Sequence, residues 1–418
     1  MRTTFVVGGL ALLLAAGGCA TTRGPRSASG KPISKEALAA AEKLVDEKHV
    51  IPPLRKYYVA LYAEGRENQA LHAMRAGLAA MQFHQWDLAA QTFDDAIRDV
   101  ESLQEGAAQA ERAKGKFVAE QEKWFKGESY ERSALYLYRG IVYLQKQDFG
   151  NAAACFKRSE LQDVTGDDAP GFAGDWYSSE LALALASYKN GVPEDAERAL
   201  QRTRSFTSKP GEVPPPRPNN NLLLVVESGR GPIKYRGGKY GERLYYREVP
   251  DTVREVEVLI DGNSVIRSPA AENLYLQATT RGKRQVDYIL AGKATFKQAT
   301  AVTSAVLATG AGIASETIKN ERDRNIATGI LAGLSFLSGA ASAATKPQAD
   351  VRRWNNLPHS VYVIGLTVAS SAQEFEVRGL GVEGEVVSSQ HGRLVRNQGA
   401  QLDVLHLKLK LGGEHATD

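Results

Sequence analysis

The sequence predicts an α+β chain of several parts. An all-α half built of helical repeats comes first, and a mixed, mostly-β half with an inserted Ala/Gly-rich helical hairpin follows. Three observations predict this. Residues 35–208 keep apolar residues at helical spacing, a Pro/Asn-rich stretch at 209–221 breaks the pattern, and residues 222–418 alternate apolar and polar residues as strands do. A chain of 418 residues suits two domains, or one with a long extension. Its formal charge of +4 is spread thinly and points away from nucleic acid.

The amino terminus reads Met-Arg-Thr-Thr, an uncharged run of apolar and small residues from Phe5 to Ala16, then Gly17-Gly18-Cys19. One positive charge, an apolar run and small residues before a cut site make a secretory signal over residues 1–18. The run is shorter than the roughly 20 residues of a bilayer span. Ala16-Gly17-Gly18-Cys19 resembles the lipobox of bacterial lipoproteins, with Ala at the place where Leu is commonest. That resemblance implies cleavage before Cys19 and lipidation of its thiol. Ala20, in place of Asp, implies the outer membrane, facing the periplasm, over the inner one. An ordinary leader with a chance cysteine is the other reading. Residues 19–34, polar with Gly, Ser and Pro, predict a flexible tether. Cys155, the remaining cysteine, has no partner for an internal disulfide and reads as a small apolar residue in a helix.

Ala37, Leu38, Ala41, Leu44 and Val45 share one face of a first helix, which Pro52-Pro53 ends. After a second apolar stretch at Tyr57, Tyr58 and Leu61, one spacing recurs. Gly77-x2-Ala80…Ala89-x3-Phe93-x2-Ala96 returns as Gly140-x2-Tyr143…Ala152-x3-Phe156-x2-Ser159, and more weakly as Ala184…Ala196-x3-Leu200. In paired helices the small residues let the backbones approach, and the aromatic residue fills the gap between neighbouring pairs. Asp87 and Asp148 are expected as N-caps, Gly191 as a helix stop and Pro193 as a first-turn proline. The pattern resembles tetratricopeptide repeats over residues 68–206, with a helical insert at 101–127 between the first copies. The resemblance implies a concave face for a protein partner, and a plain helical bundle is the alternative. Trp86, Trp124 and Trp176 are expected in packing.

The prolines of 209–221 predict an extended, semi-rigid spacer. Beyond it, Leu222–Val226 has the apolar continuity of a buried strand. Arg254–Ile260 alternates, and Asp261-Gly262 predicts a hairpin turn into Val265-Ile266. Val361–Ala369 reads as a central strand. Leu405, Leu407, Leu409 and Leu411 predict the buried face of a late strand, with His406, Lys408 and Lys410 outward. Residues 286–344 read as two small-residue helices. The second, 326–344, is expected in a packed hairpin, with membrane insertion through Gly329-x3-Gly333 the alternative.

Two motifs stand out in this half. One is Leu224-Val-Val-Glu-Ser-Gly229-Arg-Gly231-Pro232-Ile-Lys234; the other is Asp350-Val-Arg352-Arg-Trp354-Asn-Asn-Leu357-Pro358. With the lipobox and the repeat pattern they resemble a group of functionally uncharacterised bacterial envelope lipoproteins, a likeness that brings no activity with it. Gly229-Arg-Gly231-Pro232 fails as a phosphate loop: Lys234 takes the third glycine's place and Pro232 removes an amide donor. A tight turn is expected there. Asp350, Arg352 and Trp354 predict a buried ion pair and an aromatic anchor, or alternatively a docking patch. His49, His72, His84, His359, His391, His406 and His415 lack metal-ligand spacing, no nucleophile elbow or P-loop occurs, and no cofactor is implied. The expectation is a non-enzymatic, membrane-tethered scaffold or adaptor that binds protein partners. The alternatives are a protein that binds or acts on peptidoglycan through the β-rich half, and an assembly inserted through 326–344.

Overall fold

The computed structural model describes residues 25–105, 123–164, 175–206, 210–280 and 348–410. The expected leader, Cys19, the expected hairpin at 286–344, Leu411, His415 and most of the expected insert at 101–127 lie outside them.

Ser34 caps the first helix, its side chain accepting from the Ala37 amide; α1 runs Lys35–Glu47. The chain then enters α2 (Arg55–Ala63) through Pro52-Pro53. Three helical hairpins follow, α3 (Gln69–Gln82) with α4 (Trp86–Glu105), α5 (Ser129–Gln145) with α6 (Phe149–Val164), and α7 (Tyr177–Lys189) with α8 (Pro193–Thr203). Their turns follow local chemistry. Asp148 accepts from the Asn151 amide at 3.1 Å as a cap, Gly191 takes φ +74°, and Pro193 opens α8. Asp87 departs from expectation: α4 begins at Trp86, so Asp87 lies in the first turn and pairs with Lys146 at 2.6 Å.

Within a hairpin the small residues act as the spacing requires. A Cβ on Gly77 would lie 2.6 Å from the Phe93 ring, and one on Gly140 would strike Phe156. Ala89, Phe93, Ala96, Ala152 and Phe156 are buried.

Among the described residues, the second half holds two four-stranded sheets and a hairpin. The first sheet has the order β10-β1-β7-β6: Asp403–Lys408, Leu222–Ser228, Ser360–Leu366 and Glu272–Asn273. The second has the order β5-β4-β8-β9: Asn263–Pro269, Glu255–Ile260, Gln373–Leu380 and Val386–Leu394. β2 (Ile233–Gly237) and β3 (Arg243–Arg247) pair apart from them, and a short helix, α9 (Leu274–Thr279), follows β6. Asp261 (φ 48°) and Gly262 (φ 79°) join β4 to β5 as the expected two-residue turn. β2, β3, β6, β8 and β9 were not expected as strands.

Period-two alternation places β1 between two cores. Leu223 and Val225 join a cluster with the helices, while Leu222, Leu224 and Val226 join Val256, Val258 and Val377 of the second sheet. The result is layered: α4, α6 and α8 outside, α3, α5 and α7 inside, then one sheet and then the other. The fold is α+β, and one apolar cluster runs through both halves.

Three expectations are corrected. Residues 25–34 form an ordered arm: Ala28 N–H donates to Glu64 at 2.6 Å, and Ser29 is buried. The proline segment from 210 to 221 is packed, with Val213 and Pro216 buried and the Val213 amide donating to Tyr177 Oη at 3.2 Å. On β10, His406 is buried among the helices, and Leu405 and Leu407, with Leu409 just past the strand, face the second sheet, so both faces of the strand are covered. The tryptophans divide. Trp176 is fully buried and Trp86 half-buried, but Trp124 is 44% exposed, with the Arg66 guanidinium over its ring.

Candidate functional site: the junction of the two halves

The two sequence motifs meet. Gly229 ends β1 at φ +63°, where a Cβ would lie 2.8 Å from His359 and 2.9 Å from Asp251, so only glycine fits the turn. The Gly231 amide donates to the Leu357 carbonyl at 2.8 Å, and a Cβ on Gly231 would press on the Leu357 and Pro358 carbonyls at 3.2 Å. Pro232, Leu357 and Pro358 are buried at this contact. The first motif is therefore a tight turn that seats the second.

Lys234, on β2, carries the junction into the helices. Its Nζ lies 2.6 Å from Glu131 Oε2 and 3.0 Å from the Arg352 carbonyl, with the Phe125 and Tyr130 rings 5.5 and 5.7 Å away. Glu131 is fully buried for a local reason. It is the third residue of α5 and closes a capping box with Glu128, accepting from the Glu128 amide at 2.8 Å. Its other oxygen accepts from the Trp354 amide at 2.8 Å. A capping carboxylate thus gains a lysine and a backbone donor from the other half of the chain.

Arg352 fills its donor set. It binds Asp350 through Nε and one terminal nitrogen, at 3.0 and 2.7 Å, and donates to Glu67 O, Asn68 Oδ1 and Lys123 O at 2.8–2.9 Å. Trp354 is 2% exposed, its ring 6.0 Å from Tyr138 and 6.5 Å from Phe93. Arg75 of α3 donates to the Arg353 carbonyl at 2.6 Å and receives Asn356 on its own carbonyl at 3.0 Å. Asp350, Arg352 and Trp354 are thus the ion pair and the aromatic anchor that their spacing suggested.

Beside this lock a cleft of about 370 Å³ opens, lined by Arg26, Ala28, Glu64, Arg75, Arg352 and Arg353 among others. Glu64 is committed within the protein to the Ala28 amide, to Asn68 at 3.1 Å and to His72 at 2.8 Å. Burial pushes the His72 imidazole below its ordinary range, against the pull of Glu64. Burial likewise lowers Arg75 to about 10, which leaves it charged near neutral pH. No sequence motif pointed to this cleft.

Two further buried polar groups escaped the sequence reading. Glu227, fully buried on β1, lies 3.1 Å from His406 Nε2 and accepts from Gln82 of α3 at 2.7 Å. Burial works against its ionisation, yet His406 and Lys408 hold its carboxyl below the usual glutamate range. His359 links Glu248 at 2.9 Å to Ser360 at 2.8 Å, while Asp251 accepts from Ser228 and from the Val253 amide, pinning the chain around Gly229. The Ser360 hydroxyl lies beside its own neighbour's imidazole, and both residues are buried. Cys155 is half-buried, and burial pushes its thiol up to about 12, so it carries little thiolate near neutral pH. Among the described residues no group of His, Cys, Asp and Glu could hold a metal ion, and no helix is long and apolar enough to cross a membrane.

Compared with known proteins, the chain matches no family model, no curated protein and no solved structure.

Proposed function

We propose that the chain is a lipid-anchored envelope adaptor. Cys19 carries the lipid, the outer membrane holds the protein on its periplasmic side, and the tetratricopeptide-like pairs present a surface to a protein partner. The close approach of Gly77 to Phe93 and of Gly140 to Phe156 supports the repeat reading.

The observation that carries the proposal is the covering of the inner helices. A helical-repeat protein of open form would offer the faces of α3, α5 and α7 to a peptide. Here residues 130 to 142 of α5, all but the half-buried Arg132, and 177 to 187 of α7 are buried, with the protein's own sheet against them. The partner surface is then the outer row, where Leu161 stands 46% exposed on α6 and Phe83 45% exposed at the α3–α4 turn. In-cell photocrosslinking from Gln91, Leu161 and Arg198 tests this. One recurrent protein partner captured from these positions, and lost when Cys19→Ser changes the protein's location, supports the proposal. Muropeptide binding with no captured protein rejects it.

A second reading has one observation of its own. On the β2–β3 hairpin Tyr235 and Tyr245 stack with centroids 5.6 Å apart and stand 47% and 40% exposed, a surface on which a sugar ring can lie. It supports a peptidoglycan-binding role for the β-rich half. Muropeptide affinity that falls in Tyr245→Ala would favour it.

A further inference from the structure

The cleft beside the lock is lined by four guanidinium groups, of Arg26, Arg75, Arg352 and Arg353, and by one carboxylate, of Glu64. Of its guanidinium groups, Arg352 is answered by Asp350 at 2.7 Å. Glu64, the one acidic residue lining the cleft, is occupied by the arm, Asn68 and His72. Arg75 has no carboxylate within ion-pair distance among the described residues, and its buried Nε has no hydrogen-bond partner among them. Arg26, across the cleft on the exposed arm, likewise has no ion pair among the described residues; its side chain donates to the Gly30 carbonyl at 2.8 Å. Arg353 lines the same wall. Glu64 and Glu131 act on Arg75 only from beyond ion-pair distance, and a half-buried cation in that position gains when an anion reaches it directly.

We propose that this cleft binds a phosphate group. Guanidinium groups pair with phosphate oxygens through two parallel N–H bonds, and they retain their charge when partly buried. A volume of about 370 Å³ admits a phosphate with a glycerol-sized substituent. The phosphate has two possible sources: a phospholipid headgroup or a free phosphate ion. The lipid source rests on the proposed anchoring at Cys19. Arg26 follows Cys19 by seven residues (26 − 19), at most about 25 Å of extended chain, so an acylated protein holds the cleft near headgroup level.

The test uses the full chain in dodecyl maltoside, titrated calorimetrically with inorganic phosphate, dihexanoyl phosphatidylglycerol or dihexanoyl phosphatidylcholine. Phosphatidylglycerol bound in preference to phosphatidylcholine assigns the headgroup. Inorganic phosphate bound without phosphatidylglycerol assigns the free ion. In either case Arg75→Gln should weaken binding about tenfold or more, the effect of losing one charge-assisted hydrogen bond. Arg26→Gln lies on the exposed arm, where folding is undisturbed, and should weaken binding several-fold; Arg247→Gln, on β3 outside the cleft, should leave it unchanged. Binding of none of the three probes overturns the proposal, as does binding unaltered in Arg26→Gln and Arg75→Gln. The mass of the mature amino terminus reports lipidation separately, so a failed cleft and a failed anchor give different results.

Discussion

The inner and outer helices of the hairpins come from similar sequence patterns yet live in different surroundings. α7, Tyr-Ser-Ser-Glu-Leu-Ala-Leu-Ala-Leu-Ala-Ser-Tyr-Lys, is buried from Tyr177 to Ser187 on every side. α8, Pro-Glu-Asp-Ala-Glu-Arg-Ala-Leu-Gln-Arg-Thr, buries only Ala196, Ala199 and Thr203, with Asp195 and Leu200 half-buried and the rest exposed. An apolar stripe suffices for a helix packed on one side, whereas one held between two layers needs apolar or small residues all round. Polar groups on the inner row therefore need partners within the protein. Glu180 has Arg202, Glu131 has Lys234, and the amino end of α7 has Glu272, a β6 residue that accepts from Ser178 at 3.3 Å. The inner row is where the halves are joined; the outer row is free to vary.

The largest expected effect breaks that join. Lys234→Met leaves Glu131 buried and unpaired, and should cost about 3–5 kcal/mol in urea denaturation, with the double variant Lys234→Met/Glu131→Gln recovering part of it. Gly140→Ala comes next. Its new methyl strikes Phe156 between two backbones, for a loss of about 1–3 kcal/mol. The matching change in the outer row has the opposite sign, since a Cβ on Gly150 meets nothing within 4 Å; Gly150→Ala should raise stability by about 0.5 kcal/mol. Equal effects at the two glycines would erase the distinction between the rows.

A pH effect sharpens the same contrast. His72 lies on inner helix α3, and burial depresses its pKa below the unfolded value of 6.5. The unfolded chain therefore binds the proton more readily. The contribution of neutral His72 is complete above pH 6.5 and is lost as pH falls below it. The urea midpoint should fall between pH 7 and pH 5, and fall less in His72→Gln; identical pH profiles would remove His72 from the explanation.

What the sequence revealed follows from the range of the forces involved. The helical hairpins were legible because Gly77 with Phe93, and Gly140 with Phe156, meet within one supersecondary unit. The Asp261-Gly262 turn was legible because both residues need positive φ. β10 was misread because alternation alone places Leu405 and Leu407 inside. His406 is buried too, drawn to Glu227 on the adjacent strand β1, where its register neighbour is Val225. β2 was missed because its one buried residue after the turn is a lysine, and what satisfies it, Glu131, lies 103 positions away. The two motifs were visible as unusual strings. Their meeting at one junction, and the cleft that Arg26 and Arg75 share beside it, depend on contacts between distant segments that no local pattern encodes.

Amide hydrogen exchange on the intact chain tests most directly whether the two halves are one body. The join predicts that α5 and α7 exchange as slowly as β1 and β7 and that all four lose protection together in Lys234→Met. Helices that keep their protection while the sheet opens, in either protein, would contradict it.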